Sequence, residues 1–210
     1  MNDVSESHTE ADNMKSILNT RTKLKIRCWN VRTMYETGKQ VQVIREMRAC
    51  KLHLLGISEC RWTGCIKRIT STGETIAYSC RNDEKHHGGI AMNRNVAKAM
   101  LVYAPVSERI IRARFQAKQR KLTIIQCYAP TNEADDEGKT YFYQALQSEI
   151  EKVSKHDVTV MGDLNAKFGN DNTGNERVMR KYGCGNINDN GERLVDLCGT
   201  NNLIIEKYIS

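Results

Sequence analysis

Between Thr75 and Tyr128 five short apolar runs follow one another: Thr75 to Cys80, Gly88 to Asn93, Met100 to Tyr103, Arg109 to Ala117 and Lys121 to Tyr128. Each has strand length, and turn signals such as Ser71-Thr72-Gly73 and Arg81-Asn82-Asp83 punctuate the series. Strands in such a series must pair, because an unpaired one leaves a row of backbone donors and acceptors without partners. Helical patterns frame the series. Leu24, Ile26 and Cys28 alternate with Lys25 and Arg27 and predict a strand running into Trp29; Val41, Ile44 and Met47 predict a helix over Thr37 to Cys50; a strand, His53 to Ser58, follows. Beyond the series, Phe142, Ala145, Leu146, Glu149, Ile150 and Val153 predict a helix over Gly138 to Lys155, and Val158 to Met161 a further strand. A Gly- and Asn-rich stretch, Asn165 to Asn190, is too long for a simple connector and is expected to be a functional loop. A short helix, Gly191 to Gly199, and a terminal strand, Leu203 to Tyr208, complete the reading. Strands in series framed by strand-helix-strand units predict a layered α/β protein with its helices outside.

The 210 residues suit one domain, with 40% hydrophobic and 27% charged residues, as in ordinary soluble domains. Residues 1–22 lack apolar periodicity and are expected to be a disordered leader, leaving 23–210 as the folded domain. The apolar runs fall far short of the roughly 20 residues that span a bilayer, and the start lacks a secretory pattern, so a nuclear or cytoplasmic, non-membrane protein is expected. The eight cysteines then read as reduced thiols, with Cys28, Cys80 and Cys127 as core packing. With no CxxC pair, and with Cys60 and Cys65 lacking a second half, a structural zinc site is not expected. A net charge of +7 favours a polyanionic partner without naming one.

The most informative segment is Val160-Met161-Gly162-Asp163-Leu164-Asn165, where an apolar strand ends on a glycine, a carboxylate and an amide. In extended backbone Asp163 and Asn165 point to one side and could address one water or phosphate, and Gly162 lets a ligand approach closely. The ordinary alternative is a strand-end turn, in which Asp and Asn are common. A calcium loop is excluded, since Lys167 takes a ligand position, Gly169 comes one place late and the twelfth residue is Gly174. Three more apolar runs end on polar residues: Trp29-Asn30-Val31-Arg32, Ser58-Glu59-Cys60-Arg61-Trp62 and Tyr128-Ala129-Pro130-Thr131-Asn132.

This ordered set resembles the endonuclease/exonuclease/phosphatase superfamily over about Leu24 to Ile205, and Asn188-Asp189-Asn190-Gly191 with Leu194, Cys198 and Asn202-Leu203 extends the likeness. It is most similar to the apurinic-type endonuclease domain of non-LTR retrotransposons, including the craniofacial development protein 2-like genes derived from them. The resemblance implies a four-layered αββα sandwich with two mixed sheets, whose strand ends meet in one cleft. It also implies Mg²⁺, replaceable by Mn²⁺, on Glu59 with Asn30 and Asp163. Asp163 is then expected to orient or deprotonate the attacking water, Asn165 to hold phosphate or water, and Tyr128 to donate to a phosphate oxygen. Asn132, Arg32 and Trp62 are expected to contact DNA, the implied partner. Phosphodiester cleavage needs added negative charge stabilised and a water activated, tasks suited to a hard cation and neutral donors.

The family pattern also contains a later strand Asp and a terminal Ser-Asp-His, which this sequence does not show before Ser210; His8, His53, His86, His87 and His156 all precede Asp163. The resemblance therefore implies a domain incomplete at its C-terminus, with nicking weakened or lost and a sheet completed by a partner or a missing segment. Two other readings stay open: a non-catalytic nucleic-acid-binding remnant, and a phosphatase acting on phospholipid or inositol phosphate headgroups. Arg112, Arg114 and Lys118, on one strand face opposite Ile111, Ala113, Phe115 and Ala117, could track a phosphate backbone or form an ordinary wet face. Trp62 could stack on a base or pack beneath a loop.

Overall fold

The computed structural model describes residues 23–36, 38–62, 67–78, 88–117, 120–154, 156–179 and 185–206. Outside this set lie the expected leader, the Arg81-Asn82-Asp83 turn, Cys65, Cys80, His8, His86, His87 and Lys118. The chain divides into two compact units, one drawn from Met1–Cys127 and Asp157–Gly162, the other from Tyr128–His156 and Asp163–Ser210.

The first unit begins with the expected strand-helix-strand element. β1 (Ile26–Asn30) and β2 (Leu54–Ser58) run parallel, with Ile26 opposite Leu54 and Asn30 opposite Ser58, and α1 (Lys39–Ala49) connects them. β3 (Lys67–Ile69), β4 (Thr75–Tyr78) and β5 (Gly88–Met92) add antiparallel neighbours, giving the order β1-β2-β5-β4-β3. A short helix, α2 (Arg94–Lys98), follows, its N-terminus capped by the Asn93 side chain, which accepts from Val96 N at 2.9 Å.

The second sheet has the order β6 (Met100–Pro105), β7 (Ile110–Gln116), β8 (Lys121–Tyr128), β9 (Val158–Asp163). β6, β7 and β8 are antiparallel. β9 joins β8 in parallel: Thr123 N donates to Asp157 O at 2.6 Å and Ala129 N to Asp163 O at 2.9 Å, both bonds advancing in the same direction. Both sheets are therefore mixed. They meet face to face through Leu54, Ile90 and Met92 from one and Ile111, Phe115 and Ile124 from the other, all without solvent exposure. Burying each such side chain contributes roughly 1.5–3 kcal/mol.

On the opposite face of the first sheet, α1 buries Val43, Ile44 and Met47 among Leu55, Ile57, Ile76 and Ala91. Val41, expected on this stripe, is 71% exposed instead. A spacing of three residues falls short of the 3.6-residue turn, so the series Val41, Ile44, Met47 drifts around the helix, whereas Val43 and Met47, four apart, stay in line. Cys28 is a second correction. β1 is an edge strand, and Cys28 is exposed rather than packed, while Cys127 on central β8 is buried as expected.

The second unit holds two amphipathic helices, α3 (Asp136–Glu151) and α4 (Asp189–Asn201). Asp135 caps α3 by accepting from Gly138 N at 2.6 Å, and Asn188 caps α4 by accepting from Gly191 N at 2.9 Å. Phe142, Leu146 and Ile150 of α3 and Leu194, Leu197 and Cys198 of α4 are buried. The helices are also joined by polar contacts: Tyr143 donates its hydroxyl to Asn190 O at 2.9 Å, and the Gln147 and Asn201 side-chain amides pair. Of the expected terminal strand Leu203 to Tyr208, residues 207 and 208 lie outside the described residues, and the described part shows an isolated bridge from Ile205 to Met179. Among the described residues no helix is long and apolar enough to cross a membrane.

Candidate active site

In the first unit the parallel pairing of β1 and β2 decides the geometry. Asn30 and Ser58 end their strands side by side, so Asn30 and Glu59 emerge at adjacent points. The pairing continues past the strands, with Val31 N donating to Ser58 O at 3.1 Å and Met34 N to Cys60 O at 3.0 Å. Asn30 Nδ2 then donates to Glu59 Oε1 at 2.6 Å. Arg61 Nη2 lies 3.2 Å from Glu59 Oε2, and Arg32 N donates to Asn30 Oδ1 at 3.0 Å. The Glu59 side chain is 17% exposed, half-buried yet open to an approaching group. Arg32, Glu59 and Arg61 all occupy the left-handed region, at φ 61°, 56° and 56°. Each non-glycine residue held there costs on the order of 1 kcal/mol or more, and such strain concentrates where side chains are aimed for a task.

In the second unit, Asp163 and Asn165 form a turn with the end of β8. Asp163 Oδ1 accepts from Asn165 N at 3.2 Å, and Asn165 Nδ2 donates to Ala129 O at 2.9 Å. Asn165 lies beyond the strand at φ 49°, so the extended geometry expected to align its side chain with that of Asp163 does not apply. Gly162 makes the close approach possible, but toward the neighbouring strand. Its φ is 145°, and a Cβ there would stand 1.8 Å from Cys127 O. Tyr128 is half-buried at the last position of β8, and Asn132 is exposed, its carbonyl accepting from Lys139 Nζ at 2.7 Å.

Trp62 is partly buried against the core. Its ring lies 4.7 Å from that of Tyr78 and its Nε1 donates to Met34 O at 3.0 Å, holding the loop after β1 onto the core. Arg32 is exposed. His53 is structural, its Nδ1 accepting from Lys25 N at 3.0 Å. Arg112 and Arg114 alternate with the core residues Ile111, Ala113 and Phe115 as expected and are half-buried, with Arg114 Nε inaccessible to solvent. Arg61, Lys139 and Asn188 were not singled out from the sequence for what they hold. Asn188 carried a signal, an Asn directly before a helix start; buried Lys139, which also lies 2.9 Å from Asp189 Oδ2, carried none.

No family model matches the sequence. Craniofacial development protein 2 of Bos taurus is 38% identical over 181 residues, which cover 84% of this chain, and the protein of that name from Tragulus javanicus matches equally. Over that stretch the chain is similar to craniofacial development protein 2. It spans 30% of the length of these curated relatives. Among solved structures, the endonuclease domain of TRAS1, a telomere-specific non-LTR retrotransposon, superposes with a TM-score of 0.59 at 13% identity, over 85% of this chain and 71% of that one. The AP endonuclease LMAP from Leishmania major gives 0.57 at 10% identity, over 95% and 78%. At such identities the likeness is one of fold. The two mixed sheets with their helices form an α/β fold shared with these two endonuclease structures.

Proposed function

We propose that this chain is a Mg²⁺-dependent phosphodiesterase of retrotransposon descent that nicks DNA. The observation that carries the reading is the Asn30–Glu59 contact, a half-buried carboxylate held by an amide at paired strand ends of a fold shared with two endonucleases. The donor chemistry fits a hard cation. Mg²⁺ binds through one or two carboxylates and keeps several waters, so a single well-held carboxylate suffices to anchor it. Glu59 is the residue to hold it, with Asn30 fixing one carboxylate oxygen, and Mn²⁺ is an acceptable substitute. When bound, the cation neutralises charge developing on the phosphoryl oxygens.

The chain's own residues supply the rest. Asp163, whose Oδ1 is fixed by Asn165 N, orients the attacking water and accepts its proton. Tyr128 donates its hydroxyl to a phosphate oxygen. Asn165 acts chiefly by holding the turn, since its amide is committed to Ala129 O. Arg32 and Asn132, both exposed, are placed to meet the DNA backbone, and a net charge of +7 favours that encounter. Conversion of supercoiled plasmid to the nicked form in Mg²⁺ tests the assignment. Glu59→Ala and Asp163→Ala should each slow nicking by about 10²-fold or more. Nicking indifferent to both substitutions would overturn it, and phosphate release from inositol phosphate headgroups without nicking would move the chain to the phosphatases.

A further inference from the structure

The turn Asn188-Asp189-Asn190-Gly191 does more than start α4. Asn188 uses its whole side chain: Oδ1 accepts from Gly191 N and from Lys167 N, each at 2.9 Å, and Nδ2 donates to Asn165 O, also at 2.9 Å. Its backbone N–H donates to Lys167 O at 3.2 Å. Gly191 lets this segment come close, since a Cβ there would stand 2.2 Å from Lys167 O. Asn190, fully buried, donates Nδ2 to Pro130 O at 2.9 Å, in the segment after Tyr128. Asp189 meets Lys139 Nζ, which also holds Asn132 O. One helix start thus grips two loops, 128–132 and 163–167, and Asn165 Nδ2 on Ala129 O joins the loops to each other.

We infer that Asn188 is a positioning residue that sets the geometry of Asp163 and Asn165 through the Asn165 carbonyl, with Asn190 doing the same for the Tyr128 loop. This rests on the proposed phosphodiesterase reaction, in which those residues act. An N-cap alone needs only the Oδ1 acceptor; the Nδ2 donor to a loop distant in sequence serves no capping purpose. A misplaced reacting group costs rate steeply, by as much as 10²-fold for about 1 Å.

Asn188→Asp separates the two roles, because aspartate caps a helix as well as asparagine but has no donor for Asn165 O. Asn188→Ser, which also caps, is the second variant. Both should melt within about 4 °C of the wild-type protein. Their kcat for nicking should fall about tenfold or more with KM for DNA unchanged, as when a residue supporting a reacting group is lost. Amide hydrogen exchange at Asn165 should quicken while amides within α4 keep their protection. Wild-type kcat with wild-type exchange in both variants would overturn the inference, as would a loss of kcat that appears only together with loss of α4 protection. If the wild-type protein does not nick at all, the reaction assignment falls, and exchange still decides whether Asn188 holds the loop.

Discussion

Arg32, Glu59, Arg61 and Asn165 share a left-handed backbone at φ between 49° and 61°, and all four belong to segments that end strands β1, β2 and β9. That Asn30, Glu59 and Asp163 stand at strand ends was legible, because apolar runs stop on them. The conformation after each strand was not, because it is imposed by partners distant in sequence, such as Ala129 for Asn165. For the two cysteines on strands, burial follows sheet position: Cys28 lies on edge strand β1 and is exposed, Cys127 on central β8 and is buried. Burial pushes the Cys60 thiol up to about 11 and that of Cys198 up to about 12, and Cys127 is enclosed on β8. Iodoacetamide at neutral pH should therefore modify Cys28 and Cys50, which are exposed, and leave Cys60, Cys127 and Cys198 intact until denaturant is added. Peptide mass spectrometry before and after unfolding checks this, and early labelling of Cys127 would contradict the described core.

The elements the sequence reveals best have their burial pattern set by their own residues. β8 runs from Lys121 to Tyr128 as the sequence predicts, and the Phe142, Leu146, Ile150 stripe lies on α3. β3 and α2, three and five residues long, carry too little periodicity to read, and among the described residues Ile205 forms an isolated bridge with Met179. Polar ties between elements are less legible still. Lys139 of α3, Asp189 and Arg193 of α4, and Asp136 at the start of α3 form one charged cluster. The hydrogen bond from Lys139, helped by Arg193 and opposed by burial, holds the Asp189 carboxyl below its ordinary value of 3.8. A carboxyl depressed on folding stabilises the fold above its unfolded value and loses that contribution as pH falls through the folded one. The difference in melting temperature between wild type and Asp189→Asn should accordingly hold steady above about pH 5 and shrink as the solution becomes more acidic. The contribution is modest, since the Asp189 side chain is 38% exposed. A difference that grows on acidification would contradict this sign.

At the scale of the whole molecule, the fold class was within reach of the sequence because strand series and strand-helix-strand units leave few arrangements. The reaction was within reach only through the ordered motif, since this fold serves several chemistries and composition selects none. The proposed reaction assigns Glu59 and Asp163 to a single phosphodiester cleavage. Its most direct test is the single-turnover rate of plasmid nicking in saturating Mg²⁺ for wild type, Glu59→Ala, Asp163→Ala and the double variant. Groups that act in one step are far from additive, so the double variant should be hardly slower than the worse single one. Rate losses that multiply in the double variant, or nicking that survives both single substitutions undiminished, would contradict the claim.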